Sequence, residues 1–407
     1  MHDALVENLQ SVWWIVLAAA LAPLFALITR RYVPDVVWLL VFGTVIGPHA
    51  LDIAHQTESV EFLRELGMGF LFLLAGFEVN TADMRARRGK HAAFTWLICV
   101  VLAVVAGLFV IEGDWQQSVA FGIAATSTAL GTLLPVLKDS GVIDTPLGKA
   151  VMVHGAYGEL LPIIAMSLLL STRGTGISAG LLIAFAVIAV VSIALPGRFF
   201  QRATWLARMV SRASDSTMQP IMRMVVLLLV TLMLVTAVFD LDVALGAFAA
   251  GILANTVLKS LDIDHSGEIM HKVEVVGFSF LIPVFFVTSG MNIDLASVLS
   301  QWRTVLYFVG MITLLRGLPI ILRELLTPTD SGLTSWRDKV ALGFYSAVGL
   351  PIIVAVTQIA VSSGIIEPTT ASVMVTGGAL TVLIFPVIGR IVAAPAPKPQ
   401  EEDVAVE

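Results

Sequence analysis

Glu159 is the tenth of twenty-one residues in the apolar stretch "AVMVHGAYGELLPIIAMSLLL" (150–170), and Arg316 lies within a second one, "TVLYFVGMITLLRGLPIIL" (304–322). A charge at the centre of a bilayer costs at least ~2.5 to 3.5 kcal/mol on insertion scales, so an acid there faces a cavity or a partner. At ~1.5 Å rise per residue, Glu159 is about 15 Å from either end of its helix. A carboxylate so placed can hold a proton or a metal cation, but not both at once. Binding a sodium or potassium ion on one side of a membrane and a proton on the return would exchange one for the other. The blander reading is that Glu159 pairs with Arg316 and ties two helices together, which their depths permit. The two readings are compatible: Arg316 is a candidate to compensate Glu159, or to stabilise a crossing of broken helices, when no cation is bound.

Two segments near these charges make poor helix. "AATSTALGTLLP" (124–135) carries Thr126, Ser127, Thr128, Gly131 and Pro135, and "YSAVGLPIIVAVT" (345–357) carries Gly349 and Pro351. Helices broken at the midplane would cross and leave backbone carbonyls and half-helix N-termini pointing into the membrane centre, where they can ligand a cation or offset an ion. The candidate ion and proton site is therefore Glu159 with Thr126, Ser127 and Thr128, although each hydroxyl taken singly is more often a helix-packing residue. His154, five residues before Glu159, falls on a different helix face. It is a candidate for tuning the pH range, against the commoner role of a hydrogen-bonded core histidine. Tyr157 and Thr357 are candidates to line the cavity, and Glu78, at the end of its span, is expected to be solvated.

The elements that must position these groups follow from composition. The chain has 407 residues, 57% hydrophobic and 13% charged, with a mean hydropathy of +0.91, far from a soluble domain. This is an all-α polytopic membrane protein. Its start has no basic n-region or cleavage site, so the first apolar run counts as a span. Cys99 alone permits no internal disulfide. Apolar runs fall at about 12–29, 33–48, 60–78, 93–111, 117–137, 148–170, 177–196, 219–238, 242–258, 273–290, 303–322, 339–361 and 369–392, giving thirteen spans. With the N-terminus outside, twenty of the twenty-four Lys and Arg fall in inner loops. That positive-inside bias supports thirteen spans, the N-terminus outside and the C-terminus in the cytoplasm of a cell membrane.

The third span ends "GFEVN" (76–80) and the tenth "GMNID" (290–294), and the second and ninth share small residues four apart, Gly43 and Gly47 against Ala247 and Gly251. Seven spans separate each pair. An odd offset gives the halves opposite orientation, the inverted repeat of secondary transporters. Chance sharing of small-residue spacing is the alternative. The expected organisation is a transmembrane exchanger domain over 1–392, with one repeat over about 12–171, a basic inner connector at 197–218 and a second repeat over about 219–392. The Pro-rich, acidic tail 393–407 is expected to be disordered.

The segments "VPDVVWLLVFGTVIGPHAL", "LGMGFLFLLAGFEVN", "ATSTALGTLLPVLKDSGVID" and "FLIPVFFVTSGMNID" resemble the cation/proton antiporter superfamily, in particular its second branch of monovalent cation:proton antiporters, over about 12–392. The resemblance implies the thirteen-helix sodium/proton antiporter fold with crossed discontinuous helices, elevator-type alternating access in a homodimer, and a role in sodium or potassium transport and pH homeostasis. Glu159 inherits the ion and proton role and Arg316 the basic position of a late core span. An Arg, unlike the Lys of other members, keeps its proton. Where relatives carry Asp-Asp, Asn-Asp or Gln-Asp, this chain has Gly158-Glu159. A single titratable carboxylate favours one proton per cation.

No phosphate loop, metal cluster or nucleophile with a base supports an enzyme, and no cofactor or nucleic-acid partner is expected beyond the transported H+ and Na+ or K+. The competing readings are a sodium-coupled organic-anion symporter of related ten-helix fold and a non-transporting membrane sensor.

Overall fold

A computed structural model describes residues 2–29, 33–79, 84, 86–110, 115–169, 219–239, 241–260 and 266–393. Every regular element among the described residues is helical. In chain order, α1 (His2–Ile28), α2 (Asp35–Ile46), α3 (Glu58–Glu78), α4 (Arg87–Val110), α5 (Trp115–Ala125), α6 (Leu130–Asp139), α7 (Pro146–Leu169), α8 (Gln219–Val238) and α9 (Val243–Ser260) come first. They are followed by α10 (Ser266–Val276), a π turn (Gly277–Leu281), α11 (Ile282–Met291), α12 (Leu295–Ser300), α13 (Trp302–Ile312), a second π turn (Thr313–Gly317), α14 (Leu318–Leu326), α15 (Trp336–Tyr345), α16 (Leu350–Ser362) and α17 (Pro368–Val392). Six helical stretches among the described residues are long and apolar enough to cross a membrane.

Twelve of the thirteen expected spans coincide with these helices. The seventh (177–196), the connector (197–218) and the tail from 394 lie outside the described residues. Several helices run past their apolar cores. α1 begins at His2 rather than near residue 12, because "DALVENLQ" is polar yet rich in good helix formers.

The expected interruption appears in both places. α5 stops at Ala125 and α6 starts at Leu130, leaving Thr126–Ala129 out of helix. α15 stops at Tyr345 and α16 starts at Leu350, leaving Ser346–Gly349 out. These broken helices sit at the centre. The stretch Trp336–Ser362 is 89% buried over its most apolar window, against 28% for Leu5–Ile28. On the rim, α1, α4, α8 and α13 expose large apolar side chains such as Trp13, Leu97, Leu234 and Tyr307, the face a lipid-embedded helix presents.

Backbone meets backbone where the small residues fall. A Cβ on Gly43 of α2 would strike the Val287 carbonyl of α11, and one on Gly290 of α11 would strike the Leu40 carbonyl of α2. The same reciprocity joins α3 and α9, Gly76 against the Phe248 carbonyl and Gly251 against the Leu73 carbonyl. Spans two and three, which share sequence features with nine and ten, thus contact the opposite members, two on ten and three on nine. Close approach of this kind replaces hydrophobic drive between helices in lipid.

Both π turns end two residues before a proline, Pro283 and Pro319. A proline returns no N–H to the carbonyl four residues back. The widened turn shifts the ladder, so that Ile282 donates to the Gly277 carbonyl and Leu318 to the Thr313 carbonyl. Arg316 lies inside the second widened turn.

Candidate functional site

Main-chain hydrogen bonds tie the first break both to α7 and to the second break. Thr128 N–H donates to the Gly158 carbonyl at 2.8 Å and Ala129 N–H to the Val348 carbonyl at 2.7 Å. The first bond has a cause in the sequence. Pro162 lies inside α7 four residues after Gly158, so the Gly158 carbonyl has no intrahelical donor and is free for the neighbouring break. Close approach at the crossing needs Gly349, where an added Cβ would sit 2.7 Å from the Ser127 carbonyl oxygen. Pro351 is the second residue of α16, a position where its missing N–H costs nothing.

Glu159 is 3% exposed. Its Oε1 accepts the Leu130 N–H at 3.0 Å, and the Gly131 N–H lies beside the same carboxylate. These are the first N–H groups of half-helix α6, which have no partner within their own helix. The carboxylate of α7 therefore caps α6 from outside, at the positive end of its dipole. Its other oxygen, Oε2, is buried and has no hydrogen-bond partner among the described residues.

Arg316 is fully buried. Its Nη2 donates to Thr128 Oγ1 at 2.9 Å and to the His154 carbonyl at 3.1 Å, and its Nε to the Ser346 carbonyl at 3.2 Å. Thr128 Oγ1 donates in turn to the Ser346 carbonyl. Ser346 caps the C-terminal end of α15, where cations are favoured. The two membrane charges thus sit at opposite kinds of helix end, Glu159 on N–H groups and Arg316 on carbonyls. The side-chain hydrogen bonds of Arg316 go to the crossing and to the His154 carbonyl rather than to Glu159.

The remaining candidates are placed as follows. Thr126 and Ser127 are buried and donate to carbonyls of the preceding turn, Gly122 at 2.7 Å and Ala124 at 2.8 Å. Ser127 also reaches the Gly349 carbonyl at 3.3 Å across the crossing. Thr357 is buried and bonds to the Ile353 carbonyl at 2.8 Å. Tyr157 is half-buried, with its hydroxyl on the Met84 carbonyl at 2.9 Å. His154 is buried, with its Nε2 3.9 Å from Glu324 Oε1.

Two acids belong to this region that the sequence did not single out for it. Glu78 is half-buried rather than solvated. Glu324 is buried beside His154. The available signal for Glu78 was Gly76 two residues earlier, which draws the end of α3 into backbone contact with α9. Glu324, at the polar end of its span, gave none.

Comparisons with known proteins agree with this architecture. Two solved structures of the sodium proton antiporter MjNhaP1 from Methanocaldococcus jannaschii share the fold. The structure at pH 8 has a TM-score of 0.61 at 18% identity, covering 95% of this chain and 97% of that one. The electron-microscopy structure has a TM-score of 0.66 at 19% identity, covering 93% and 94%. An Enterococcus hirae protein named Na(+)/H(+) antiporter is 24% identical over 89% of this chain and 92% of its own length. Bacillus cereus GerN, named a Na(+)/H(+)-K(+) antiporter, is 26% identical over 66% of this chain and 67% of its own length. The Bacillus subtilis relative YjbQ is 22% identical over 95% of this chain, which spans only 64% of that protein's length. The family model described as "Sodium/hydrogen exchanger, transmembrane" matches residues 16–394, and the chain belongs to that family of membrane antiporters.

Proposed function

We propose that this protein exchanges a monovalent cation, sodium or potassium, for protons by alternating access, with Glu159 as the shared site. The observation that carries the reading is the state of the Glu159 carboxylate. One oxygen is fixed on the N-terminus of a half-helix and the other is buried without a partner among the described residues. A proton satisfies that second oxygen, and so does a cation completed by oxygens of the Thr126–Thr128 break. The two occupants exclude each other, which couples them.

In this scheme Arg316 compensates charge through the crossing rather than by direct pairing. It holds Thr128 and the Ser346 carbonyl in place while the Glu159 site fills and empties. One shared carboxylate gives one proton per cation. The names of the Enterococcus and Bacillus cereus relatives support sodium and potassium as cargo. The reciprocal glycine contacts support two inverted repeats, over about 12–171 and 219–392, joined by an inner connector at 197–218. We further assign a homodimer in the cell membrane, the N-terminus outside and the C-terminus, with its 393–407 tail, in the cytoplasm, and a contribution to pH homeostasis.

The test is flux from the purified protein in liposomes. Sodium or potassium should dequench an entrapped pH dye with wild type and not with Glu159→Gln. An active Glu159→Gln would sink the mechanism.

A further inference from the structure

Among the described residues only two acids are buried, Glu159 and Glu324. Exchange at Glu159 uses the first and leaves the second without a role. Glu324 lies in the last turn of α14 and lines a small cleft together with Arg88, His91, His154, Thr329 and Ser331. Its Oε2 accepts from the Ser331 hydroxyl at 2.6 Å and the Thr329 hydroxyl at 2.8 Å. Those bonds aim Oε1 at His154 Nε2, 3.9 Å away, one small rotation or one water short of a hydrogen bond. The other ring nitrogen, Nδ1, is buried with no partner among the described residues. An imidazole with one nitrogen toward a carboxylate and the other open can accept a proton on one side and release it on the other.

The ring's position is tied to the ion site. Arg316 Nη2 holds both the His154 carbonyl and Thr128. Glu159 lies five residues further along α7, about 7.5 Å along the helix axis and on a different face, so a proton passing between them needs water to bridge the gap. The cleft wall is equally fixed, because Arg323 Nη1 donates to the His91 carbonyl at 3.1 Å and to Thr95 Oγ1 at 2.9 Å. The charged groups acting on His154 are Glu324, Arg316 and Arg323, and Arg88 and His91 of α4 line the same cleft.

We propose that Glu324 and His154 form a proton relay joining this cleft to Glu159. A proton bound at Glu324 Oε1 passes to His154 Nε2, restoring the Glu324 carboxylate and making the imidazolium. Release from Nδ1, through intervening water, onto the Glu159 carboxylate vacated by its cation leaves His154 neutral and Glu159 protonated. A ring flip resets the imidazole. The balance is one proton moved from cleft to ion site, with no other bond made or broken. The relay rests on the exchange reading of Glu159 and specifies where its protons enter.

The experiment is cation-driven proton flux in liposomes across a range of pH, for wild type, Glu324→Gln and His154→Gln. Glu324→Gln keeps an oxygen for the Thr329 and Ser331 hydroxyls, so it removes the titrating proton without removing the fold's contacts. The relay predicts that flux falls about tenfold or more in each variant, with a displaced pH profile and an unchanged cation KM. It also predicts that free imidazole in the buffer restores part of the flux to His154→Gln. Wild-type rates and pH profiles in both variants would overturn the relay while leaving exchange at Glu159 intact. A wild-type protein that moves no protons removes the exchange reading and the relay with it. If Glu324→Gln is not recovered folded, Glu324→Asp, which withdraws the carboxylate by one methylene, is read instead. Slower flux at unchanged cation KM supports the relay, and wild-type flux overturns it.

Discussion

A Cβ atom on Gly158 would lie 2.6 Å from Arg316 Nη2 and closer still to the Thr128 Oγ1 that this arginine binds, nearer than they can sit without one of them moving. The side chain absent before Glu159 is thus matched by the Thr128 side chain and by an arginine that lies across the helix crossing, which together use the space. Gly158→Asn should therefore displace Arg316 and cost about 1–3 kcal/mol, the usual penalty of overpacking. The melting temperature in detergent should fall, and part of that loss should return in Gly158→Asn combined with Arg316→Ala. Additive losses in the double variant would show that the two positions do not compete.

Replacements of Glu159 should separate its capping role from its transport role. Glu159→Gln keeps a carbonyl oxygen for the Leu130 N–H and should melt near wild type. Glu159→Ala leaves the first N–H groups of α6 buried and unmet, a loss of about 1–3 kcal/mol. Equal melting temperatures for the two variants would contradict the capping geometry.

Pro162 keeps the Gly158 carbonyl available to Thr128. In Pro162→Ala a new N–H competes for that carbonyl and α7 gains a helical bond. Stability should be unchanged or higher, and cation-driven proton flux should fall, because the tie between α7 and the break is weakened. Wild-type flux in this variant would show that the proline is only a packing residue.

Asp294 caps α12. Hydrogen bonds from the Ser297 hydroxyl and N–H, and from the Ala296 N–H, hold its carboxyl below the usual range. A carboxylate whose pKa is depressed by folding stabilises above its ordinary value of about 3.9, and that contribution is lost as pH falls through the lower folded value. Asp294→Ala should thus lower the melting temperature at neutral pH and have little effect in strong acid. A loss of equal size at both pH values would assign Asp294 no role through its charge.

The breaks were legible in the sequence because they depend on local chemistry. Clustered Ser and Thr around 126–128, Gly349 and Pro351 all disfavour continuous helix, and helix does stop there. Glu159 was legible for the same reason, as a charge where none is cheap. The destination of Arg316 was not, since two outcomes were open and the choice depends on which carbonyls the folded crossing leaves unpaired. Ser346 became an acceptor for it only once α15 ended at Tyr345. The place of Glu324 was hidden more deeply. It is an acid at the end of an apolar run, and its burial comes from the Thr329 and Ser331 loop folding back over it.

The reciprocal glycine contacts also constrain what can move. Where Gly43 and Gly290 bring α2 and α11 into backbone contact, and Gly76 and Gly251 do the same for α3 and α9, there is no layer of side chains to shear or repack. A sliding surface needs deformable filler, and these seams have none. In the proposed exchange cycle each pair therefore moves as one welded plate, with no play along its own seam.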